Sequence, residues 1–260
     1  MNDRPCITYL SPPTAVYMAE HWFDIANLSH FWIRRRFEIL QCLMQRIPFP
    51  GGYAAEIGCG NGLLQAQLET ALGIVVDGFD LSIEALKKNQ AKAGGLYCYD
   101  IHNCHAAFEG RYRSLFLFDV LEHIQDEDCF MRSILFHLSQ DGLLYINLPA
   151  LQVFYSAYDI AAGHFRRYDM ETLHRVATRN GLTILEWTYW GLPLLPMLFL
   201  RRLLLAGTKD QKLIIHRGFD PCNASLNKVM LALSRCERIP QKLCGTSLMA
   251  VLTRQTNAVV

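Results

Sequence analysis

The feature that most constrains this chain is a glycine-rich turn between a buried strand and a helix. Residues 53–57 form a short apolar run that predicts a buried strand, and residues 63–72 carry apolar side chains at helical spacing. Between them, Gly58, Gly60 and Gly62 form the pattern G-x-G-x-G. This arrangement lets backbone N–H groups and a helix N-terminus approach a polar ligand closely. The turn therefore predicts an α/β protein with a ligand beside this loop.

Acidic residues stand at the ends of the predicted strands. Glu56 precedes the first glycine, where a carboxylate attracts an ammonium group and repels a pyrophosphate. Asp80 ends the next predicted strand, roughly 20 residues after the glycine turn, as a ribose-binding acid of this fold class does. Asp100 and Asp119 end two further strands. Because the carboxyl ends of parallel strands meet at one edge of a sheet, these acids predict a single ligand crevice.

Four landmarks in order, Glu56 to Gly62, Asp80, Asp100 and Phe118 to Ile124, resemble the motifs of the class I S-adenosylmethionine-dependent methyltransferases. The Asp-Val-Leu-Glu-His form of the last one is similar to the ubiquinone-biosynthesis-type, small-molecule branch. The resemblance covers about residues 52–150. It implies a Rossmann-like, mostly parallel seven-stranded sheet with an antiparallel final strand, and S-adenosylmethionine as cofactor.

The resemblance also implies roles for the matching residues. The glycine loop would pack against the methionine moiety, whose ammonium would lie near Glu56. Asp80 would bind the ribose, Asp100 with Ile101 would hold the adenine, and residues 119–121 would close over the sulfonium. The expected cofactor-binding residues are Arg36, Glu56, Gly58, Cys59, Gly60, Gly62, Asp80, Leu81, Asp100, Ile101, Asp119, Val120, Leu121 and His123.

Two N-terminal helices are predicted, over residues 14–28 and 29–47, with Ser29 as the cap of the second. They carry a dense aromatic group ahead of three consecutive arginines. The helices either cover the sheet with the arginines in solvent or form a lid over the cofactor, as in similar methyltransferases. In the second case one arginine, for which we favour Arg36, would bind the methionine carboxylate, because a guanidinium matches a carboxylate bidentately.

The methyl acceptor is expected beside residues 150–168, which follow the predicted strand over 143–148. This stretch is rich in polar aromatic and cationic side chains, and its Gly-His-x-Arg-Arg-Tyr form recurs in the same methyltransferase branch. Arg166 and Arg167 have an equally good structural interpretation, in which they pin the loop to nearby carboxylates. The expected acceptor-binding residues are Trp22, Tyr155, Tyr158, His164, Arg166, Arg167 and Tyr168.

A general base is needed only if the acceptor must lose a proton. His164 is the favoured catalytic residue and His123 the alternative, because an imidazole titrates near neutral pH.

Residues 190–206 are strongly apolar. Prolines and arginines interrupt the stretch, and it is too short to span a bilayer, which needs about 20 apolar residues. It predicts a kinked amphipathic helix that walls the acceptor pocket. A peripheral membrane contact or a homodimer contact are the alternatives.

We expect one methyltransferase domain over residues 1–260. Residues 1–50 would be the N-terminal helical lid, 51–150 the cofactor-binding half, and 151–260 the acceptor-binding half. A helical insertion over 190–245 would precede the last strand.

Composition excludes some partners. The net charge of +1 offers no electrostatic footprint for nucleic acid. Nine cysteines without a C-x-x-C pair, and a start that lacks signal-peptide features, predict a reduced, cytoplasmic protein. Cys98, His102, Cys104 and His105 lack the paired spacing of structural zinc, so no metal is expected.

Other functions compete with methyl transfer to a small, largely apolar natural product or lipid-like metabolite. A nicotinamide-dependent dehydrogenase would share the strand–glycine–helix unit, but it favours G-x-G-x-x-G and gains nothing from Glu56. A nucleic-acid amino-methyltransferase would carry an Asn/Asp-Pro-Pro-aromatic motif at residues 118–121, which this chain lacks. An S-adenosylmethionine-binding protein that promotes a cyclisation or acts as a scaffold is the remaining alternative.

Overall fold

A computed structural model describes residues 6–14, 25–205, 207–208, 210, 213–214, 220–221 and 223–255. Its strands are β1 (Ile7–Tyr9), β2 (Ala54–Ile57), β3 (Val76–Asp80), β4 (Leu96–Cys98), β5 (Tyr112–Phe118), β6 (Leu138–Pro149), β7 (Leu182–Trp190) and β8 (Ser247–Arg254). They form one sheet in the order β1-β4-β3-β2-β5-β6-β8-β7. Only β8 is antiparallel to its neighbours, β6 and β7.

The helices of the described residues pack on the two faces of this sheet or on one another. They are α1 (Phe31–Arg46), α2 (Leu63–Leu72), α3 (Ile83–Lys87), α4 (Glu127–His137), α5 (Ala157–Ala162), α6 (Met170–Arg179), α7 (Leu195–Leu205) and α8 (Ala224–Ser234). Alternation along β5 separates two cores, because successive strand side chains point to opposite faces. Leu115 and Leu117 belong to the core that includes residues of α4 and α6. Phe116 and Phe118 belong to the core that includes residues of α1 and α2.

The described residues form a sheet of eight strands, so the expected number of seven was wrong. The extra strand, β1, pairs in parallel with β4 at the edge of the sheet. Two of its three side chains are exposed, so the sequence has no apolar pattern there that would predict a strand. Backbone pairing continues just beyond it, where the N–H of Leu10 donates to the carbonyl of Cys98 at 2.9 Å.

Two helix ends differ from the predictions for local reasons. Helix α1 is capped by His30, whose Nδ1 accepts from the N–H of Trp32 at 3.2 Å, whereas Ser29 bonds to Asn27. The sequence after Asp80, with Ser82 as the cap, predicts a helix through Lys92, but helix α3 ends at Lys87. The side chain of Asn89 accepts from the N–H of Ala91 at 2.8 Å, which turns the chain there. The predicted helix over 14–28 lies mostly outside the described residues.

The described part of the region between β7 and β8 contains the helices α7 and α8. Strand β7 continues through Trp190, so α7 begins at Leu195 after a short 3-10 turn over Leu192–Leu194. Helix α8 contacts the start of α1, where Asn227 accepts from the N–H of Phe31 at 2.7 Å. Among the described helices, none has both the length and the apolar content that crossing a membrane requires.

Candidate functional site

One continuous cavity of about 1450 Å³ lies at the carboxyl ends of the central strands. The residues at or just after the ends of β2, β3, β4 and β5 all line it, as the parallel sheet requires. The cofactor-site predictions that line it are Arg36, Glu56, Gly58, Cys59, Gly60, Asp80, Leu81, Asp100, Ile101, Asp119, Val120 and His123.

The glycine turn is shaped by a close approach to the loop after β5. Gly58 has a φ of +70°, and a Cβ built there would lie 2.5 Å from Cγ2 of Val120. The N–H of Gly60 donates to Oδ2 of Asp80 at 2.8 Å, which ties the turn to the end of β3. Only glycine at position 58 lets the two loops meet at this distance.

The side chain of Glu56 is a buried carboxyl group that can accept a further hydrogen bond. Its side chain is 3% exposed, and Oε2 has no hydrogen-bond partner among the described residues. Burial raises the pKa of Glu56 to about 8, although the charge of Arg36 opposes this. An ammonium group carries three N–H donors and a positive charge, so it fits this oxygen well.

The carboxylate of Asp80 accepts hydrogen bonds from the neighbouring backbone and can still accept hydrogen bonds from a ligand. Its Oδ1 accepts from the N–H of Ser82 at 2.7 Å, and its Oδ2 from that of Gly60. Burial raises its pKa, and these backbone donors oppose the rise. A carboxylate has about four lone-pair sites, so two vicinal hydroxyls can still donate to it. Asp100 is similar, since its Oδ1 accepts from the N–H of His102 at 3.0 Å.

Of the three consecutive arginines, Arg36 is the one that lines the cavity. Its Nη1 lies 2.6 Å from Oδ2 of Asp119, and its guanidinium stacks over Trp32 and Phe118 at 4.9 and 5.2 Å. Oδ1 of Asp119 accepts from Asn147 at 2.7 Å. A guanidinium has five N–H donors, so Arg36 can bind a second carboxylate beside this one.

The two candidate bases lie side by side in the second half of the cavity. The rings of His123 and His164 meet edge to face with centroids 4.7 Å apart. A ring nitrogen of each histidine and a carboxyl oxygen of Glu122 lie within 4.8 Å of one another. Burial lowers the pKa of His123 to about 3, which keeps this ring neutral. The group thus brings together two imidazoles and a buried acid.

A hydrogen bond to the carboxylate of Asp159 fixes the ring of His164. Oδ1 of Asp159 accepts from Nδ1 of His164 at 3.0 Å and from Nε of Arg167 at 2.7 Å, while its Oδ2 accepts from the N–H of Ser156 at 2.9 Å. Burial alone would raise its pKa, but the hydrogen bonds from His164 and Arg167 and the charge of Arg167 outweigh burial and lower it to about 2. This carboxylate is therefore ionised at any physiological pH.

The structure does not bring every predicted residue to the cavity. Arg166 pairs with Glu127 at 2.8 Å, and Tyr168 is fully buried with its hydroxyl donating to the same Glu127 at 2.5 Å. Leu121 belongs to the core and Gly62 packs against a side chain outside the cavity. Trp22 lies outside the described residues. The acceptor-site predictions that do line the cavity are Tyr155, Tyr158, His164 and Arg167.

Several residues of the site were not predicted. Glu122 and Asp159 are acids inside apolar or aromatic sequence, which is the signal that could have marked them as buried and paired. Arg201 also lines the cavity, with its guanidinium 4.0 Å from the ring centroid of Tyr158. Nothing in the sequence around position 201 distinguishes it from the neighbouring Arg202.

Comparisons with known proteins agree with this architecture. A family model described as a methyltransferase domain matches residues 31–186. No curated protein sequence matches the chain. An S-adenosylmethionine-dependent methyltransferase structure from Thermotoga maritima is 13% identical with a TM-score of 0.57, over 91% of this chain and 94% of that chain.

Two further solved structures are similar in fold. Phosphoethanolamine N-methyltransferase 2 of Haemonchus contortus, in complex with S-adenosyl-L-methionine, is 16% identical with a TM-score of 0.54, over 94% of this chain and 61% of that chain. The 4+2 cyclase SpnF is 13% identical with a TM-score of 0.54, over 85% of this chain and 82% of that chain.

The family model spans well over half of the chain, and the structures share its fold at low identity. The cofactor residues implied by the resemblance surround a cavity that suits an ammonium group and a pair of hydroxyls. The nicotinamide-dependent dehydrogenase is thereby set aside. The chain belongs to the methyltransferase domain family and is a class I methyltransferase that uses S-adenosylmethionine.

Proposed function

We propose that this protein transfers the methyl group of S-adenosylmethionine to a small, largely apolar molecule, such as a natural product or a lipid-like metabolite. The observation that carries this proposal is the continuous cavity that joins the glycine turn to an apolar wall. Its volume exceeds the roughly 300–1,000 Å³ of a typical pocket for one drug-sized ligand, so it has room for two. The apolar wall includes Leu194, Met197, Leu198, Leu204 and Met230.

The cofactor half of the cavity offers a partner for each polar part of S-adenosylmethionine. Glu56 would accept from the ammonium, Arg36 would bind the carboxylate, and Asp80 would accept from the ribose hydroxyls. Asp100 and Ile101 would hold the adenine. The bound sulfonium supplies a methyl group that is already activated.

The protein's own task is then to orient the acceptor and to exclude water. Helix α1 contributes Phe31, Trp32 and Arg36 to the cavity wall, which supports its role as a lid. Helix α7 contributes the wall on the acceptor side and exposes Phe199 and Leu203 on its surface. This exposed apolar face supports a second role of α7 in peripheral membrane contact, if the acceptor is lipid-like.

The test is transfer of an isotopic label. The protein is incubated with S-adenosylmethionine carrying a trideuterated methyl group and with pooled small-molecule extracts, and products are sought by mass spectrometry. We expect a labelled product and an equal amount of S-adenosylhomocysteine. Asp80→Asn, which removes a carboxylate acceptor but keeps its shape, is expected to lose both.

A cofactor-dependent cyclisation is the second candidate, because the chain shares its fold with a cyclase. Cyclisation would consume a substrate without labelling the product and without forming S-adenosylhomocysteine. That outcome would overturn methyl transfer in favour of the cyclisation.

A further inference from the structure

We propose that Asp159 and His164 form a proton-accepting pair and that the methyl acceptor is therefore a hydroxyl compound. Asp159 is the positioning residue, and His164 takes the proton from the acceptor. This inference rests on the proposed methyl transfer and narrows its substrate class.

The first step of the argument is the rigidity of Asp159. Its side chain is fully buried, near the start of the short helix α5. Four donors converge on its two oxygens, from Ser156, His164 and Arg167. A carboxylate with this many partners cannot rotate, so the imidazole that it holds has one orientation.

The second step is the identity of the free ring nitrogen. An ionised carboxylate has no proton to give, so Nδ1 of His164 must be the donor to Asp159. The lone pair of the neutral ring then lies on Nε2, the opposite nitrogen. The side chain is 10% exposed and lines the acceptor half of the cavity. His164 is thus set to accept a proton from a group in that cavity.

The third step is the charge balance around the ring. A proton on Nε2 creates a positive charge, which the fixed carboxylate of Asp159 stabilises as it does in a hydrolase triad. Arg167 opposes this charge, but it is already paired with the same carboxylate. The titratable and charged groups that face His164 are Asp119, Glu122, His123, Asp159 and Arg167.

The fourth step is the chemistry that needs such a base. A neutral amine attacks through its own lone pair and can lose a proton afterwards, whereas a hydroxyl is a weak nucleophile until its proton leaves. In the balanced step, the hydroxyl proton passes to Nε2 of His164 and the oxygen forms a bond to the methyl carbon. The carbon–sulfur bond of the cofactor breaks, with its electron pair staying on sulfur. The imidazole then returns its proton to solvent.

The probe for this pair is 4-nitrophenol, whose absorbance distinguishes phenol from phenolate. It is bound to the wild-type protein saturated with S-adenosylhomocysteine, at a pH about one unit below its midpoint in water. Burial in an apolar cavity by itself would favour the neutral phenol. We expect the opposite, a ratio of phenolate to phenol about ten-fold above that of the free probe, because a protonated His164 is its partner.

Three variants isolate the cause. His164→Gln and Asp159→Asn are expected to return the ratio to that of the free probe or below it. Asp126→Asn is the matched control, because this carboxylate caps α4 by accepting from the N–H of Cys129 and does not line the cavity; it is expected to keep the wild-type ratio. Melting temperatures with S-adenosylhomocysteine show whether each variant is folded.

Several outcomes would overturn the inference. A neutral bound probe in the wild type, no saturable probe binding, or equal losses in Asp126→Asn and Asp159→Asn would each do so. Loss of the effect after treatment with EDTA would also overturn it, by showing that the imidazoles and Glu122 hold a metal ion instead. Failure of S-adenosylhomocysteine to bind at all would instead sink the proposed function, so the two failures are distinguishable.

Discussion

At the scale of single residues, the cofactor half of the site depends on a carboxylate kept away from water. Glu56 sits at the end of β2 with one oxygen unpartnered among the described residues, and its pKa is raised to about 8 by burial. A carboxyl whose pKa is higher in the folded than in the unfolded state loses folding stability as pH rises between the two values. Glu56 therefore lowers the stability of the cofactor-free protein near neutral pH and serves binding instead.

Glu56→Gln is expected to raise the stability of the cofactor-free protein at about pH 8 by about 1–3 kcal/mol, because it removes a buried charge. The same variant is expected to bind S-adenosylhomocysteine more weakly. In the wild type, binding should tighten between about pH 6 and about pH 8, as Glu56 becomes free to ionise beside the ammonium. Thermal unfolding and calorimetry check these effects.

The matched control for that variant is Glu84→Gln, an exposed carboxyl on α3 whose loss should change neither property. A lower melting temperature of Glu56→Gln, or a pH dependence of cofactor binding that the variant retains, would contradict the assignment.

Gly58→Ala tests the close approach of the two loops. The added Cβ would overlap Val120 at a φ of +70°, so we expect a loss of about 1–3 kcal/mol in unfolding free energy and weaker cofactor binding. Gly73→Ala is the control, since Gly73 has a φ of +65° but nothing within 4 Å of the built Cβ. Equal losses in the two variants would show that backbone strain, and not the contact with Val120, explains Gly58.

At the scale of secondary-structure elements, helix α7 has one face toward the cavity and another toward solvent. Leu198 is 9% exposed and lines the cavity, whereas Leu203 is 56% exposed and does not. Leu198→Ala is expected to weaken 4-nitrophenol binding about five-fold through lost apolar contact, without changing the affinity for S-adenosylhomocysteine. Leu203→Ala should change neither affinity. If both variants weaken the probe alike, α7 is not a specific wall of the acceptor pocket.

Some secondary-structure elements could be predicted from local sequence patterns, and others could not. The strand–turn–helix unit around Gly58 was predicted because strong apolar periodicity and glycine spacing act over a few residues. Strand β1 was missed because only an edge pairing with β4 makes it a strand. The early end of α3 depends on the side chain of Asn89, which bonds both Ala91 and Gln65, the latter on α2.

At the scale of the whole molecule, cofactor binding should couple to folding, since the cavity is built from both halves of the chain. S-adenosylmethionine or S-adenosylhomocysteine, at about 100 times its dissociation constant, should add roughly 2.7 kcal/mol to the unfolding free energy, whereas NAD should add nothing. Asp80→Asn should lose most of this gain. Thermal scans measure it directly, and stabilisation by NAD alone would contradict the cofactor assignment.

The sequence by itself determined the α/β class, the glycine turn and the order of acids along one sheet edge. These depend on patterns within a few residues and on the general rule that parallel strands end together. It also allowed the interpretation of His164 as a base, although not the reason for it.

Only the tertiary structure decided which side chains meet. Arg36 lies beside Asp119, Asp159 holds His164, and Tyr168 points into the core toward Glu127. The pairs of Arg36 with Asp119 and of Tyr168 with Glu127 join elements far apart in the chain, and their geometry follows from packing on the sheet, which no local pattern contains. Asp159 and His164 are close in sequence, but they meet only because helix α5 ends between them.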